Sequence, residues 1–152
     1  MIVLVAGVSG SGKSTVGSLL ASRLGWPFTD GDALHPAANI AKMRAGLPLS
    51  DADREPWLAS VSAQVDDYLG AGQSAVLACS ALKRSYRDEL MAGRPAVRIV
   101  FLEASREMLT ARLRARHGHF FPAALLDSQL AAEQVPEPAE GALVLPLSLI
   151  HI

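Results

Sequence analysis

Gly7, Val8, Ser9, Gly10, Ser11, Gly12, Lys13 and Ser14 match the phosphate-binding pattern G-x-x-x-x-G-K-[ST] with no departure. Glycines at this spacing let the backbone turn tightly, so that successive N–H groups face phosphate oxygens. A helix beginning near Gly12 adds the positive end of its dipole. Lys13 supplies a point charge for the β- and γ-phosphates, and the Ser14 hydroxyl is a ligand suited to Mg²⁺. A glycine-rich linker is the competing reading. However, a buried-type hydrophobic run precedes the loop and an amphipathic stretch follows it, which is the context the pattern requires. The stretch reads as the phosphate loop of a nucleoside-triphosphate site.

Such a loop leaves the destination of the γ-phosphate open, between water and a bound hydroxyl. The guanine-reading N-K-x-D motif is absent from the sequence. In "TDGDALHP", Asp30 and Asp32 straddle Gly31 just after a short strand, at the sheet edge where open α/β folds bind ligands. One carboxylate there could orient a metal-bound water while the other accepts a proton from a hydroxyl, and a plain D-G turn is the alternative. "CSALKRSYRD" places Ser80, Lys83, Arg84 and Arg87 behind another strand, where cations and a hydroxyl suit an anionic or polyhydroxy substrate, or simply a solvated helix start. "ARLRARHGHFF" carries Arg112, Arg114 and Arg116, of which Arg112 and Arg116 share a helical face. Arginines so placed neutralise charge in phosphoryl transfer. His117 and His119 lack partners at metal-ligand spacing, so a zinc site is not expected.

The elements that must position these groups alternate between strand and helix. Ile2–Ala6 reads as a strand buried on both faces, and Val16–Leu24 as a helix stopped by Gly25. A short strand in "WPFTDGD" leads to a helix with Pro36 in its first turn and Gly46 as its stop. Ser50 and Asp53 signal an N-cap, followed by an apolar face at Trp57, Leu58, Val61, Val65, Tyr68 and Leu69. Ser74–Cys79 and Ala96–Glu103 are further strands, with a polar helix from about Lys83 to Met91 between them. A charged helix follows from Ser105 to about His117, then a loop and a last helix. Ala142–Leu147 reads as a terminal strand whose end Pro146 weakens. This alternation predicts one domain over residues 1–152, with a parallel sheet covered on both faces.

Composition narrows the class further. A chain of 152 residues with 50% apolar content can bury one real core. A net charge of −1 argues against a nucleic-acid or anionic-membrane binder. No apolar run approaches the roughly 20 residues of a membrane helix, and the start "MIVLVAG" lacks a basic leader region. The single Cys79 excludes an intrachain disulfide and suits a reducing, cytoplasmic setting.

Taken together, "GVSGSGKST", "DGDALHP", "NIAKMRAGLPLSDADREPWL", "CSALKRSYRD" and "RLRARHGHFF" resemble bacterial gluconokinases of the thermoresistant type, within the shikimate and nucleoside-monophosphate kinase-like group. The resemblance implies a three-layer α/β/α P-loop kinase fold with a central parallel sheet and a mobile lid near 112–122. It implies ATP-dependent phosphorylation of D-gluconate to 6-phosphogluconate with Mg²⁺, and often a homodimer. By similarity, Gly7, Val8, Ser9, Gly10, Ser11, Gly12, Lys13, Ser14, Thr15 and Arg112 would hold the nucleotide. Ser14 and Asp30 would face the metal. Asp32, His35, Arg44, Arg54, Lys83 and Arg87 would line the sugar-acid pocket. Lys13, Asp32 and Arg116 would carry catalysis, with Asp32 receiving the hydroxyl proton. A related kinase with another acceptor, and a nucleotide-binding chain without turnover, remain alternatives. From about residue 146 the tail "LPLSLIHI" departs from the family pattern and reads as truncated or atypical.

Overall fold

The computed structural model describes residues 1–115 and 123–147. Five strands, β1 (Ile2–Ala6), β2 (Phe28–Asp30), β3 (Ala75–Ala78), β4 (Val97–Glu103) and β5 (Leu143–Pro146), form one sheet in the order β2-β3-β1-β4-β5. Every pairing is parallel. β1 lies at the centre and all five of its residues are buried, which is why its sequence is continuously apolar rather than alternating. Pro146 closes β5 on the sheet edge, where a residue without an N–H is tolerated.

Alternate β1 side chains serve different layers. Val3 and Val5 join Ala21 of helix α1 (Lys13–Leu24) on one face. Ile2, Leu4 and Ala6 join Trp57, Leu58, Val61 and Val65 of α3 (Asp51–Gly70) on the other, together with Tyr86 and Leu90 of α4 (Arg84–Met91). The result is the three-layer arrangement expected from the alternation of elements. The short α2 (Ala37–Arg44) starts after Pro36, which serves as its N-cap rather than lying within the first turn. α3 begins with the expected reciprocal cap, in which the Asp53 N–H donates to Ser50 Oγ (3.1 Å) and the Ser50 N–H to Asp53 Oδ2 (2.9 Å). α5 (Arg106–Ala115) and α6 (Ala123–Ala132) complete the described helices. Among the described residues no helix is long and apolar enough to cross a membrane.

This topology decides where a site can form. The chain leaving β1 crosses towards β2, while the chain leaving β3 crosses towards β4. The connections therefore diverge at the C-terminal ends of two neighbouring strands, which opens a crevice there. A third apolar cluster caps that end, with Val8 of the phosphate loop packed among Leu82, Leu109 and Leu126.

One buried ion pair braces the far wall of the crevice. Arg87, 1% exposed, donates from Nε to Glu140 Oε1 (2.9 Å) and from Nη1 to the carbonyls of Ala81 (3.0 Å) and Leu82 (2.9 Å). Its Nη2 donates to the carbonyl of Gln134 (2.7 Å). The Ala81 carbonyl held in this way belongs to a non-glycine residue at φ +30°, a conformation that persists only where its surroundings enforce it. Hydrogen bonds from Arg87 outweigh burial and hold the Glu140 carboxyl below the ordinary range. Its contribution to stability is therefore complete above the ordinary carboxylate pKa and is lost as pH falls through the lower native value. Glu140→Gln leaves a buried guanidinium without its counter-charge and is expected to cost about 3–5 kcal/mol. A thermal melt should fall by roughly 6–20 °C at neutral pH and by less in acid.

Candidate active site

The phosphate loop connects β1 to α1 and owes its shape to close packing. Gly7 sits at φ +147°, and a Cβ there would come within 2.9 Å of the Leu102 carbonyl and 2.8 Å of Ser11 Oγ. A side chain at this position would push the loop off the sheet. The N-cap of α1 is Gly12, with no side-chain cap and no acidic residue in the first turn. The positive end of that helix therefore faces the loop with nothing of opposite sign from its own sequence. The Ser11 hydroxyl is fully buried and has no hydrogen-bond partner among the described residues. The shape of the loop and the uncapped helix end suit a bound polyphosphate.

Across the crevice a short 3-10 turn, Gly31–Leu34, presents Asp32. Gly31 is needed for the approach, because a Cβ there would lie 2.7 Å from the Ala78 carbonyl on β3. Its own carbonyl accepts from Trp57 Nε1 (2.9 Å), which ties the turn to α3. Asp32 Oδ2 lies 2.9 Å from Lys13 Nζ. Oδ1 accepts from the Ser80 N–H (3.0 Å) and from Ser80 Oγ (3.1 Å). Burial alone would raise this carboxyl, but Lys13, through charge and hydrogen bond, and Ser80 together hold it below the ordinary value. Asp32 is therefore an anion at neutral pH, with a defined orientation.

Beside it opens a cavity of about 130 Å³, lined in part by Ser9, Asp32, His35, Arg54, Trp57 and Tyr86. The His35 ring stacks on Trp57 at 4.7 Å between centroids. Arg54 Nη1 lies 3.3 Å from the Tyr86 hydroxyl, and that hydroxyl also bonds to Asp51. An anion, a guanidinium, an imidazole and hydroxyls around one small space match a substrate bearing both a carboxylate and alcohols.

The residues named from sequence are distributed unevenly around this space. Asp32, His35 and Arg54 line it, and Lys13 stands behind Asp32, outside the lining, through their 2.9 Å contact. Ser14 and Thr15 are exposed at the first turn of α1. Asp30 is exposed, and its Oδ1 accepts from the Asp32 N–H (3.1 Å), so it caps the turn that carries Asp32. Lys83 donates to Asp51 Oδ1 (2.8 Å) and stands outside the cavity lining. Arg44 is exposed at the end of α2 and is also outside the lining. Arg87 corrects the reading: expected in the sugar-acid pocket, it is buried behind the wall with its donors spent on Glu140 and three carbonyls. Arg112 lies in the last turns of α5, whereas Arg116, His117, His119 and tail residues 148–152 lie outside the described residues.

Sequence reasoning missed Tyr86, Asn39 and Gln129. Gln129 of α6 closes a two-point contact on the phosphate loop. Its Oε1 accepts from the Ser9 N–H (2.7 Å) and its Nε2 donates to Ser9 Oγ (3.0 Å). The only signal in the sequence was a polar residue inside an apolar helical stretch, which does not name a partner 120 residues away.

Known proteins agree with this arrangement. A family model described as an AAA domain matches residues 2–136. The gluconokinase of Gluconobacter oxydans is 53% identical over 134 residues, covering 88% of this chain and 75% of its own. This chain belongs to the gluconokinase family. Among solved structures, a gluconokinase from Sinorhizobium meliloti superposes with a TM-score of 0.86 at 44% identity, covering 97% of this chain and 83% of that one. An unliganded sugar kinase from a Janibacter species superposes with a TM-score of 0.91 at 46% identity, covering 98% and 86%. As a member of this family of P-loop kinases, the chain takes a nucleotide and a small-molecule substrate.

If the Gln129 contact sets the shape of the phosphate loop in this gluconokinase-family chain, Gln129→Ala should weaken nucleotide binding about tenfold, the value of one or two hydrogen bonds. Calorimetric titration checks it. Ser9→Ala removes Ser9 Oγ but keeps the Ser9 N–H bond to Gln129, so it should lose less, and the double variant should lose no more than Gln129→Ala alone.

Proposed function

We propose that this chain transfers the γ-phosphoryl group of ATP to the terminal hydroxyl of D-gluconate. The observation that carries the reading is the position of Asp32, bonded at once to Lys13 of the phosphate loop and to Ser80, at the edge of the cavity holding His35 and Arg54. In this reading the substrate hydroxyl oxygen forms a bond to the γ-phosphorus and the bond to the bridging oxygen of ADP breaks. The hydroxyl proton passes to Asp32 and from there to solvent. A carboxylate with a lowered pKa is a weak base, which suffices where the transition state is loose and positioning matters more than proton abstraction. Lys13 neutralises charge on the transferred group, and Arg54 and His35 receive the sugar acid.

The exposed Ser14 hydroxyl and the second oxygen of Asp30 are hard donors of the kind Mg²⁺ takes, and they would complete its shell with phosphate and water. When bound, Mg²⁺ offsets phosphate charge. Arg112 and Arg116 would serve the nucleotide from the lid side. Lys83, held by Asp51 beside Tyr86, and Arg44 would approach the sugar acid from outside the cavity lining. A cytoplasmic location belongs to the same reading and suits the free, buried Cys79.

The test is ADP release with Mg·ATP and D-gluconate, shikimate, glycerate or no acceptor. Release with gluconate alone is expected, and release with another acceptor in its place would overturn the substrate assignment. Lys13→Ala should lower kcat about 10²–10³-fold with the fold retained by circular dichroism.

A further inference from the structure

His35 lines the acceptor cavity, and its two ring nitrogens face different surroundings. Asn39, only 4% exposed, anchors one of them. The orientation of the Asn39 amide is fixed by the protein itself, because its Nδ2 lies 2.8 Å from the Asp53 carbonyl, a group that can only accept. Nδ2 carries two hydrogens. One goes to that carbonyl and the other points to His35 Nδ1, at 3.1 Å. Nδ1 must then present its lone pair, so the neutral ring carries its proton on Nε2. Nε2 makes no hydrogen bond among the described residues. Stacking on Trp57 at 4.7 Å, with planes 11° apart, holds the plane of the ring.

We infer that Asn39 is a positioning residue that locks His35 in its Nε2–H tautomer, so that His35 offers the acceptor substrate a neutral hydrogen-bond donor for an oxygen lone pair. This deepens the proposed gluconate reading and rests on it for the identity of the substrate. Two charged groups face the ring, Asp32 from the 3-10 turn and Arg54 from α3. Burial, assisted by Arg54 and opposed by Asp32, keeps the imidazole below its ordinary pKa and therefore neutral at physiological pH. The Asp53 side chain, engaged with Lys42 at 2.9 Å, does not compete for Asn39.

The arrangement separates discrimination from charge. Arg54 already supplies a cation for a carboxylate, and a second cation at His35 would sit against it. A neutral donor instead selects an oxygen at one position and rejects an analogue lacking it, because the N–H would then be buried without a partner.

The tautomer is read directly on the free protein by long-range ¹H–¹⁵N correlation of the histidine rings, with His35→Gln identifying the His35 signals. Protonation at Nε2 is expected, and a proton on Nδ1 would overturn the inference whether or not gluconate is the substrate. In Asn39→Asp the new carboxylate accepts from Nδ1–H and reverses the tautomer. The KM for gluconate should then rise about tenfold as pH increases through the His35 titration, with KM for ATP unchanged, whereas the parent protein shows no such rise. Should Asn39→Asp fold poorly, the parent spectrum still decides: a single Nε2–H tautomer is expected, and a mixture of the two tautomers would contradict a locked ring.

Discussion

The contact between Lys13 and Asp32 organises the rest of the site. The two residues arrive from different loops, one after β1 and one after β2, and meet at 2.9 Å. A lysine only 7% exposed would be costly to bury alone, and the Asp32 carboxylate offsets that cost. In the proposed reaction the pair also joins two halves of the site, since Lys13 belongs to the phosphate loop and Asp32 to the wall of the cavity.

Much of the surrounding architecture serves to keep that meeting point in place. β3 lies between β2 and β1, so Ser80 beyond its end can hold the Asp32 carboxylate together with Lys13. Gly31 lets the turn sit close against β3, and Trp57 fastens the same turn to α3. Behind Ser80, the Arg87–Glu140 pair grips the Ala81 and Leu82 carbonyls and so fixes the loop that carries the serine. Polar networks of this kind are worth having only when every member is satisfied, and here the guanidinium has four acceptor groups.

The phosphate loop was legible from the sequence because its function is local: eight consecutive residues state both the backbone shape and the charges. The sheet was legible for a similar reason, since continuous apolar runs alternate with helical periodicity. Asp32 reads from the sequence as a candidate for chemistry, but its contacts with Lys13 and Ser80 depend on strand order, which no spacing along the chain reveals. Arg87 shows the converse failure. Three cations in five residues read as a binding patch, yet Arg87 lies on the inward face of α4 with Tyr86 and Leu90, while Arg84 faces solvent. Its partner Glu140 lies 53 residues away, beyond any local pattern. Asn39 was invisible as well, because a buried asparagine in a polar helix becomes meaningful only beside the ring it orients.

In the proposed reaction Asp32 directs the acceptor hydroxyl and is not needed to bind the nucleotide. Asp32→Asn keeps the shape and the contact with Ser80 while removing the charge. Its single-turnover phosphoryl transfer to gluconate, measured alongside calorimetric ATP affinity, separates the two roles most directly. Transfer should slow by about 10²-fold or more, with ATP affinity kept within a few fold. Transfer at the parent rate would contradict it.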